Sequence, residues 1–288
     1  MKVLRGVKPT AEQLPIISNP TAGVVLIRGA AGSGKTTTAM LMLKQLALFW
    51  SKRNQRMQLN QSVRILVLTF NRTLRGYISE LAQGQIKQSN CSIEVSTFAK
   101  WAQTATGMHT IVNDTIRKRK IIKYGEKLGL DDQFLLSEAD YLLGRFLPGN
   151  IDEYLDCERI GRGNSPRIDR ARRKLLLNDV IRPYVTWKKD KGVNDWSDLA
   201  VSMINETTTV RYHSIIVDEA QDFSANEIRA VMSHAANLST VVFVLDTFQR
   251  IYPRGCTWQE TGVKINSNLS YRLRENYRNT KHKGGRWF

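Results

Sequence analysis

Acidic residues are scarce beside basic ones. The chain of 288 residues has 26 Asp and Glu against 43 Lys and Arg, a formal net charge of +17. That imbalance is large for an enzyme of small molecules. It points to a polyanionic partner, and nucleic acid is the usual one. A basic surface that serves only solubility stays open at this stage. Cysteine is almost missing: Cys91, Cys157 and Cys256 stand far apart, with no C-x-x-C pair. This excludes a disulfide framework and a zinc site of ordinary spacing, and fits a reducing, cytoplasmic setting. No apolar stretch reaches the roughly 18–20 residues of a membrane span. The start, Met1-Lys2-Val3-Leu4-Arg5, lacks the apolar core of a signal peptide. Internal repeats and low-complexity tracts are absent as well.

What remains is an ordinary globular composition, 42% hydrophobic and 24% charged. The length suits one large or two ordinary domains. Nearly continuous β-rich runs occur at Val24–Ile27, Ile65–Thr69, Ile93–Val95, Ile215–Val217 and Val241–Leu245, with a weaker one at Asn268–Leu273. Continuous rather than alternating runs predict strands buried on both faces, as in a parallel sheet covered by helices. Helical patterns fall between them at Lys35–Trp50, Asn71–Ala82 and Ala225–Ala236. The alternation predicts an open α/β sheet with helices on both faces.

The middle of the chain differs. Between about Thr97 and Thr209 no strand run stands out. Amphipathic stretches at Thr115–Leu128, Ser137–Phe146, Ile151–Ile160, Arg167–Val185 and Asp195–Ile204 predict an inserted all-helical subdomain. The expected organisation is a sheet domain in two parts, 1–100 and 210–280, a helical insertion over 101–209, and an irregular tail over 281–288. Much of the positive charge lies in the insertion. Arg117-Lys118-Arg119-Lys120 forms one run, and Arg159 to Lys191 holds eleven Lys or Arg against three Asp. Tyr184 and Trp187 are interleaved with it. Basic side chains grip phosphates and aromatic faces stack bases, although a solvated helix face reads the same way.

One segment names a ligand. Gly29-Ala30-Ala31-Gly32-Ser33-Gly34-Lys35-Thr36 has the spacing G-x-x-x-x-G-K-[ST], after an apolar run and before the helical pattern that Thr37 opens. This is a phosphate-binding loop for a nucleoside triphosphate. Glycine lets the backbone approach the phosphates and turn its N–H groups inward. The following helix aims its positive end at the same anion. Lys35 is placed for the β- and γ-phosphates, and the Thr36 hydroxyl for Mg²⁺. The expected cofactors are ATP and Mg²⁺. A partner carboxylate is needed, and Ser214-Ile215-Ile216-Val217-Asp218-Glu219-Ala220-Gln221-Asp222 supplies a strand ending in two acids. Asp218 is expected to hold Mg²⁺ through water, and Glu219 to orient and deprotonate the attacking water.

Val217-Asp218-Glu219-Ala220-Gln221-Asp222 resembles motif II of the UvrD/Rep-type superfamily 1 helicases, and further motifs follow the family's order. Gln13 in Pro9-Thr10-Ala11-Glu12-Gln13 resembles the Q motif that reads adenine. Leu68-Thr69-Phe70-Asn71-Arg72 resembles motif Ia and Val95-Ser96-Thr97-Phe98 motif Ib. Asp195-Trp196-Ser197-Asp198-Leu199 resembles an acidic–aromatic signature that precedes the return to the sheet. Leu245 to Tyr252 resembles motif III, and Glu275-Asn276-Tyr277-Arg278-Asn279-Thr280 motif IV.

The resemblance implies a RecA-like P-loop NTPase sheet and a DNA-dependent ATPase or helicase acting on single-stranded or partly duplex DNA. It implies that Gln249 couples the γ-phosphate to DNA, that Tyr277 stacks on adenine and that Arg278 is an arginine finger. It implies DNA contacts by Phe70, Asn71, Arg72, Thr97, Phe98, Tyr252 and Arg254. Phe70 and Tyr252 also suit core packing, and Gln13 also suits a helix surface. The pattern departs from the family in places. Thr37 stands where Arg is common, Leu245 precedes Asp246 where Gly is usual, and Pro253-Arg254-Gly255 replaces a Trp-bearing stretch, with Trp258 the nearest tryptophan. Family members continue into a second RecA-like domain. The expectation for this chain alone is weak ATP binding, slow turnover and no processive unwinding, with a second motor domain or a partner protein completing the cleft. A nucleotide-gated binding or sensor subunit is the alternative.

Overall fold

A computed structural model describes residues 8–59, 61–69, 76, 90–158, 168–206, 211–246 and 256–275. Among the described residues six strands form one sheet: β1 (Gly23–Gly29), β2 (Val63–Leu68), β3 (Cys91–Ser96), β4 (Tyr212–Val217), β5 (Ala235–Asp246) and β6 (Ser270–Leu273), in the order β3-β2-β4-β5-β1-β6. Every pair is parallel. This is the α/β, RecA-like arrangement that continuous apolar runs predict. β4 and the last eight residues of β5 are almost wholly buried. The edge strand β3 is the exception. Its Ser92 and Glu94 are exposed, so it alternates as a half-covered strand does. β5 begins at Ala235, so the helix expected to run to Ala236 stops at Ser233.

Helices cover both faces. Here α1 is Leu14–Ser18 and α2 is Lys35–Arg56. Met40, Leu43, Leu46, Ala47 and Trp50 of α2 pack on Val25, Ile27, Ile65, Val67, Ile216, Val242 and Val244. The other face carries α3 (Phe98–Thr106), α8 (Trp196–Asn205) and α9 (Ala225–Ser233). Phe98, Trp101, Leu199, Met203, Ile228 and Val231 meet Leu66, Leu68, Ile215, Val217 and Phe243 there. Each such side chain contributes about 1.5–3 kcal/mol by leaving water.

A second core lies between α4 (Asp114–Gly125), α5 (Asp132–Arg145), the 3₁₀ segment Pro148–Leu155, α6 (Arg170–Leu175) and α7 (Arg182–Lys191). Ile121, Leu135, Leu142, Tyr154, Leu176, Val180 and Tyr184 fill it. α6 and α7 are one helix interrupted by a π-helical stretch, Leu176–Ile181. The interruption has a local cause. Pro183 has no N–H and its ring would strike the carbonyl four residues back in α geometry. The wider turn avoids this, and the Arg182 N–H donates to Leu177 O, five residues earlier.

The sheet core claims α3 and α8, which flank this helical body, so the helices with their own core span a narrower stretch than 101–209. The charged run suggests a nucleic-acid face in the sequence, and the structure divides it. Lys118 and Arg119 are exposed, whereas Arg117 is buried between Asp140 and Asp195. Tyr184 is fully buried and donates to Asp195 Oδ2 at 2.8 Å, and Trp187 stacks on it at 5.8 Å. Tyr184 therefore has no face free for a base. Lys188, 4% exposed, donates to Asp195 at 3.0 Å and Asp198 at 2.6 Å. Burial pushes the Asp195 carboxyl up, but Lys188, the Tyr184 hydroxyl and Arg117 outweigh it and hold it below the ordinary range. Asp198 goes the other way, raised by burial and by Asp195. Among the described residues no helix is long and apolar enough to cross a membrane.

Candidate functional site

The C-terminal ends of β1, β4 and β5 lie side by side, with Gly29 in register with Asp246. Crevices at this edge of a parallel sheet are where ligands of open α/β folds sit. Residues 30–34 link β1 to α2. The turn demands glycine twice, since Gly32 has φ 84° and Gly34 φ 82°. Gly29 is constrained by space instead. A Cβ there would run into Ser33 Oγ and come within 3.0 Å of the Leu273 carbonyl. Gly34 is the N-cap of α2 and offers no side chain to its N–H groups, so this end of the helix is left open to an anion.

Lys35 opens α2 and curls back into the loop. Its Nζ donates to Ala30 O at 2.9 Å and to Asp246 Oδ2 at 3.4 Å. Thr36 Oγ1 donates to Asp218 Oδ1 at 3.1 Å, and Thr69 Oγ1 to Asp218 Oδ2 at 3.3 Å. The Asp218 carboxyl is raised above the ordinary value, first by burial and then by the Glu219 charge beside it. Glu219 is held at φ 53°, ψ 44°, a left-handed conformation rare for a residue with a side chain. That turn redirects the chain after β4 into the short 3₁₀ segment Ala220–Asp222. The Glu219 carboxylate accepts from Gln221 Nε2 at 2.7 Å, and Gln221 Oε1 accepts from the Asp246 N–H at 3.1 Å.

These residues fit a nucleotide with a hard divalent cation. Thr36 hydroxyl and Asp218 carboxylate lie in hydrogen-bond contact and form an oxygen donor set of the kind Mg²⁺ takes. A carboxylate whose pKa is raised by burial and a like charge gains from a cation placed there. An ammonium beside an open helix N-terminus suits phosphate.

A family model described as an AAA domain matches residues 13–254. The chain belongs to this family. It is a P-loop nucleotide-binding domain, of a kind that takes up nucleotide with Mg²⁺. No curated protein matches the chain. Within the AAA domain, Thr36 at the end of the Gly29–Thr36 loop meets Asp218, and Glu219 follows it in the chain; Ala31 is exposed and Thr37 half-buried.

Gln13 is buried rather than on a helix surface, and its Oε1 accepts from Thr10 N at 3.1 Å. Its neighbour Glu12 receives the Arg274 N–H at 2.7 Å, which ties this segment to the end of β6. Thr97 caps α3, its hydroxyl accepting from Lys100 N at 3.2 Å. Phe98 corrects an expectation. It is 3% exposed and edge-on to Trp101 and Phe223 at 5.8 and 5.9 Å, so it packs the core and offers no ring to a base. Trp258 is likewise core, 4.9 Å from Phe243. Phe70, Asn71, Arg72, Gln249, Tyr252, Arg254, Tyr277 and Arg278 lie outside the described residues. Three residues of the cleft escape a sequence reading: Thr69, Gln221 and Asp246. Their positions inside motifs Ia, II and III are the signal that could have found them.

Proposed function

We propose that the AAA domain is the ATP-hydrolysing N-terminal motor of a UvrD/Rep-type translocase that acts on single-stranded or partly duplex DNA. The observation that carries this reading is the hydrogen bond from Thr36, at the end of the phosphate loop, to Asp218 at the end of β4, with Glu219 next in the chain. A protein that only held nucleotide would have no use for a second carboxylate beside the first. The sequence Val217 to Asp222 and the charge of +17 support DNA as the partner.

Mg²⁺, when bound, would be held by Thr36 and Asp218 and would supply positive charge to offset that of the phosphates. The chain does the rest. The loop N–H groups and Lys35 orient the phosphates and neutralise charge that grows on them. Thr36 and Asp218 fix the cation side of the cleft. Glu219 holds the water that attacks the terminal phosphorus and takes its proton, as the bond from that phosphorus to the bridging oxygen breaks and ADP leaves. Gln249 and Arg278 are proposed to complete the site, and Tyr277 and Gln13 to hold the adenine. A second motor domain, in the same polypeptide or in a partner, closes the cleft over them. Movement along DNA follows from opening and closing that cleft.

The test is phosphate release with and without single-stranded DNA, comparing the chain with Lys35→Ala. DNA-stimulated release that Lys35→Ala abolishes is expected. Equal release by both proteins overturns the reading.

A further inference from the structure

Lys35 is not free in the cleft. It shares the loop interior with Asp246, and both side chains are more than nine-tenths buried, at 8% and 9% exposure. Asp246 ends β5, and its own position is braced. Its N–H donates to Gln221 Oε1 at 3.1 Å, and Gln221 is itself buried. Gln221 meanwhile donates Nε2 to Glu219 at 2.7 Å. A side-chain amide can accept from a peptide N–H through its oxygen and donate to a carboxylate through its nitrogen at once. An ionised glutamate in its place accepts only, and would repel Glu219.

The Lys35–Asp246 contact is long for a buried ion pair. At 3.4 Å it lies well outside the 2.7–2.9 Å of a strong charge-assisted bond. The ammonium's shorter bond goes to the Ala30 carbonyl at 2.9 Å, inside the loop where phosphates belong. One ammonium cannot satisfy Ala30 O, Asp246 and two phosphate groups together. Phosphates that take Lys35 must pull it from these partners.

We propose that Asp246, braced by Gln221, is the resting counter-ion of Lys35, and that a nucleoside triphosphate binds by displacing it. Asp246 is then a positioning residue that lowers nucleotide affinity, and the phosphate loop is held closed on its own lysine until triphosphate arrives. The inference rests on the ATPase reading above, because it takes Lys35 as a phosphate ligand.

Equilibrium titration with a fluorescent ATP analogue in the presence of Mg²⁺ tests it without requiring turnover. Asp246→Asn keeps the shape and removes the competing charge, and is expected to bind roughly tenfold more tightly than the unmodified chain. Gln221→Ala loosens the brace and tightens binding by a smaller factor, about threefold. The double variant is expected to match Asp246→Asn, since both changes act through one carboxylate. A merely structural role for either residue leaves binding unchanged or weakens it. Circular dichroism melts confirm that each variant is folded, and Asp246→Ser serves as the second variant where Asp246→Asn is not. If the unmodified chain binds and Lys35→Ala does not, yet Asp246→Asn binds no more tightly, the counter-ion proposal falls and the ATPase reading stands. If the unmodified chain and Lys35→Ala bind alike, both fall.

Discussion

Two lysines, Lys35 and Lys188, are buried to a similar degree, and they are held very differently. Lys188 of the helical body has carboxylates at 2.6 and 3.0 Å, and its ammonium sits 5.1 Å from the centre of the Tyr184 ring. Lys35 of the cleft has a carbonyl at 2.9 Å and one carboxylate at 3.4 Å. Burying an ammonium costs several kcal/mol unless its partners offset the loss of water. Around Lys188 two Asp and the face of the Tyr184 ring offset it within the fold. Around Lys35 the compensation is partial, which suits a group whose best partner comes from outside. One charge is fastened and the other is waiting.

The sharpest way to break this comparison is to remove each lysine. Lys188→Ala leaves Asp195 buried and short of its main partner, and is expected to cost about 3–5 kcal/mol in denaturant unfolding while leaving nucleotide affinity unchanged. Lys35→Ala is expected to do the reverse. Nucleotide binding should weaken by about 2–3 kcal/mol, or roughly 30- to 150-fold, with a smaller change in stability. Similar stability losses in both variants would erase the distinction.

Asp218 sharpens it further. Its folded pKa lies above the unfolded value. Its contribution is therefore fully present below the ordinary Asp value of about 3.9 and is lost as pH rises through the folded value. At neutral pH the ionised group costs stability. Asp218→Asn should raise the melting temperature of the nucleotide-free chain by a few degrees and abolish the effect of Mg²⁺ on nucleotide binding. If the Asp218→Asn variant melts lower than the unmodified chain, the carboxylate is structural after all.

The smallest effect belongs to the base of the sheet. Burial lowers the pKa of His234, whose Nδ1 bonds the Ala230 carbonyl at 2.9 Å. The unfolded chain then binds more protons near pH 6. Stability from this group is present above the ordinary His value of about 6.5 and is lost as pH falls through the lowered one. Denaturant midpoints measured between neutral and mildly acid pH should fall more steeply for the unmodified chain than for His234→Gln. His213, lowered for the same reason, sets the slope that remains.

Much of this was legible in the sequence where the signal is local. The loop Gly29 to Thr36 and the strand ending in Asp218-Glu219 are contiguous patterns, and their flanking apolar runs became β1 and β4. Legibility failed where meaning depends on what lies opposite. Phe98 is expected at DNA through the family resemblance and Tyr184 through the basic residues around it, yet each faces a core that distant segments build. Ile93–Val95 reads as doubly buried, but among the described residues β3 has a neighbouring strand on one side only. The stretch Ile151–Ile160 reads as helix, and the structure gives a 3₁₀ segment that Pro148 opens. Asp246 and Gln221 act through strand adjacency, since β5 lies between β4 and β1 although it follows both in the chain. No spacing rule along one sequence conveys that order.

The π-helical stretch before Pro183 sets the phase between two halves of one rod. Each residue in an α-helix advances about 100°. Deleting one residue from Leu176–Ile181 would therefore rotate α6 by about a quarter turn relative to α7. Arg173, whose guanidinium now donates to the carbonyls of Tyr154 at 3.0 Å and Cys157 at 2.8 Å, would swing off both. The extra residue works as a spacer that lets a proline-bearing helix aim its basic half and its acid-locked half independently. Length in this helix is a matter of angle more than of reach.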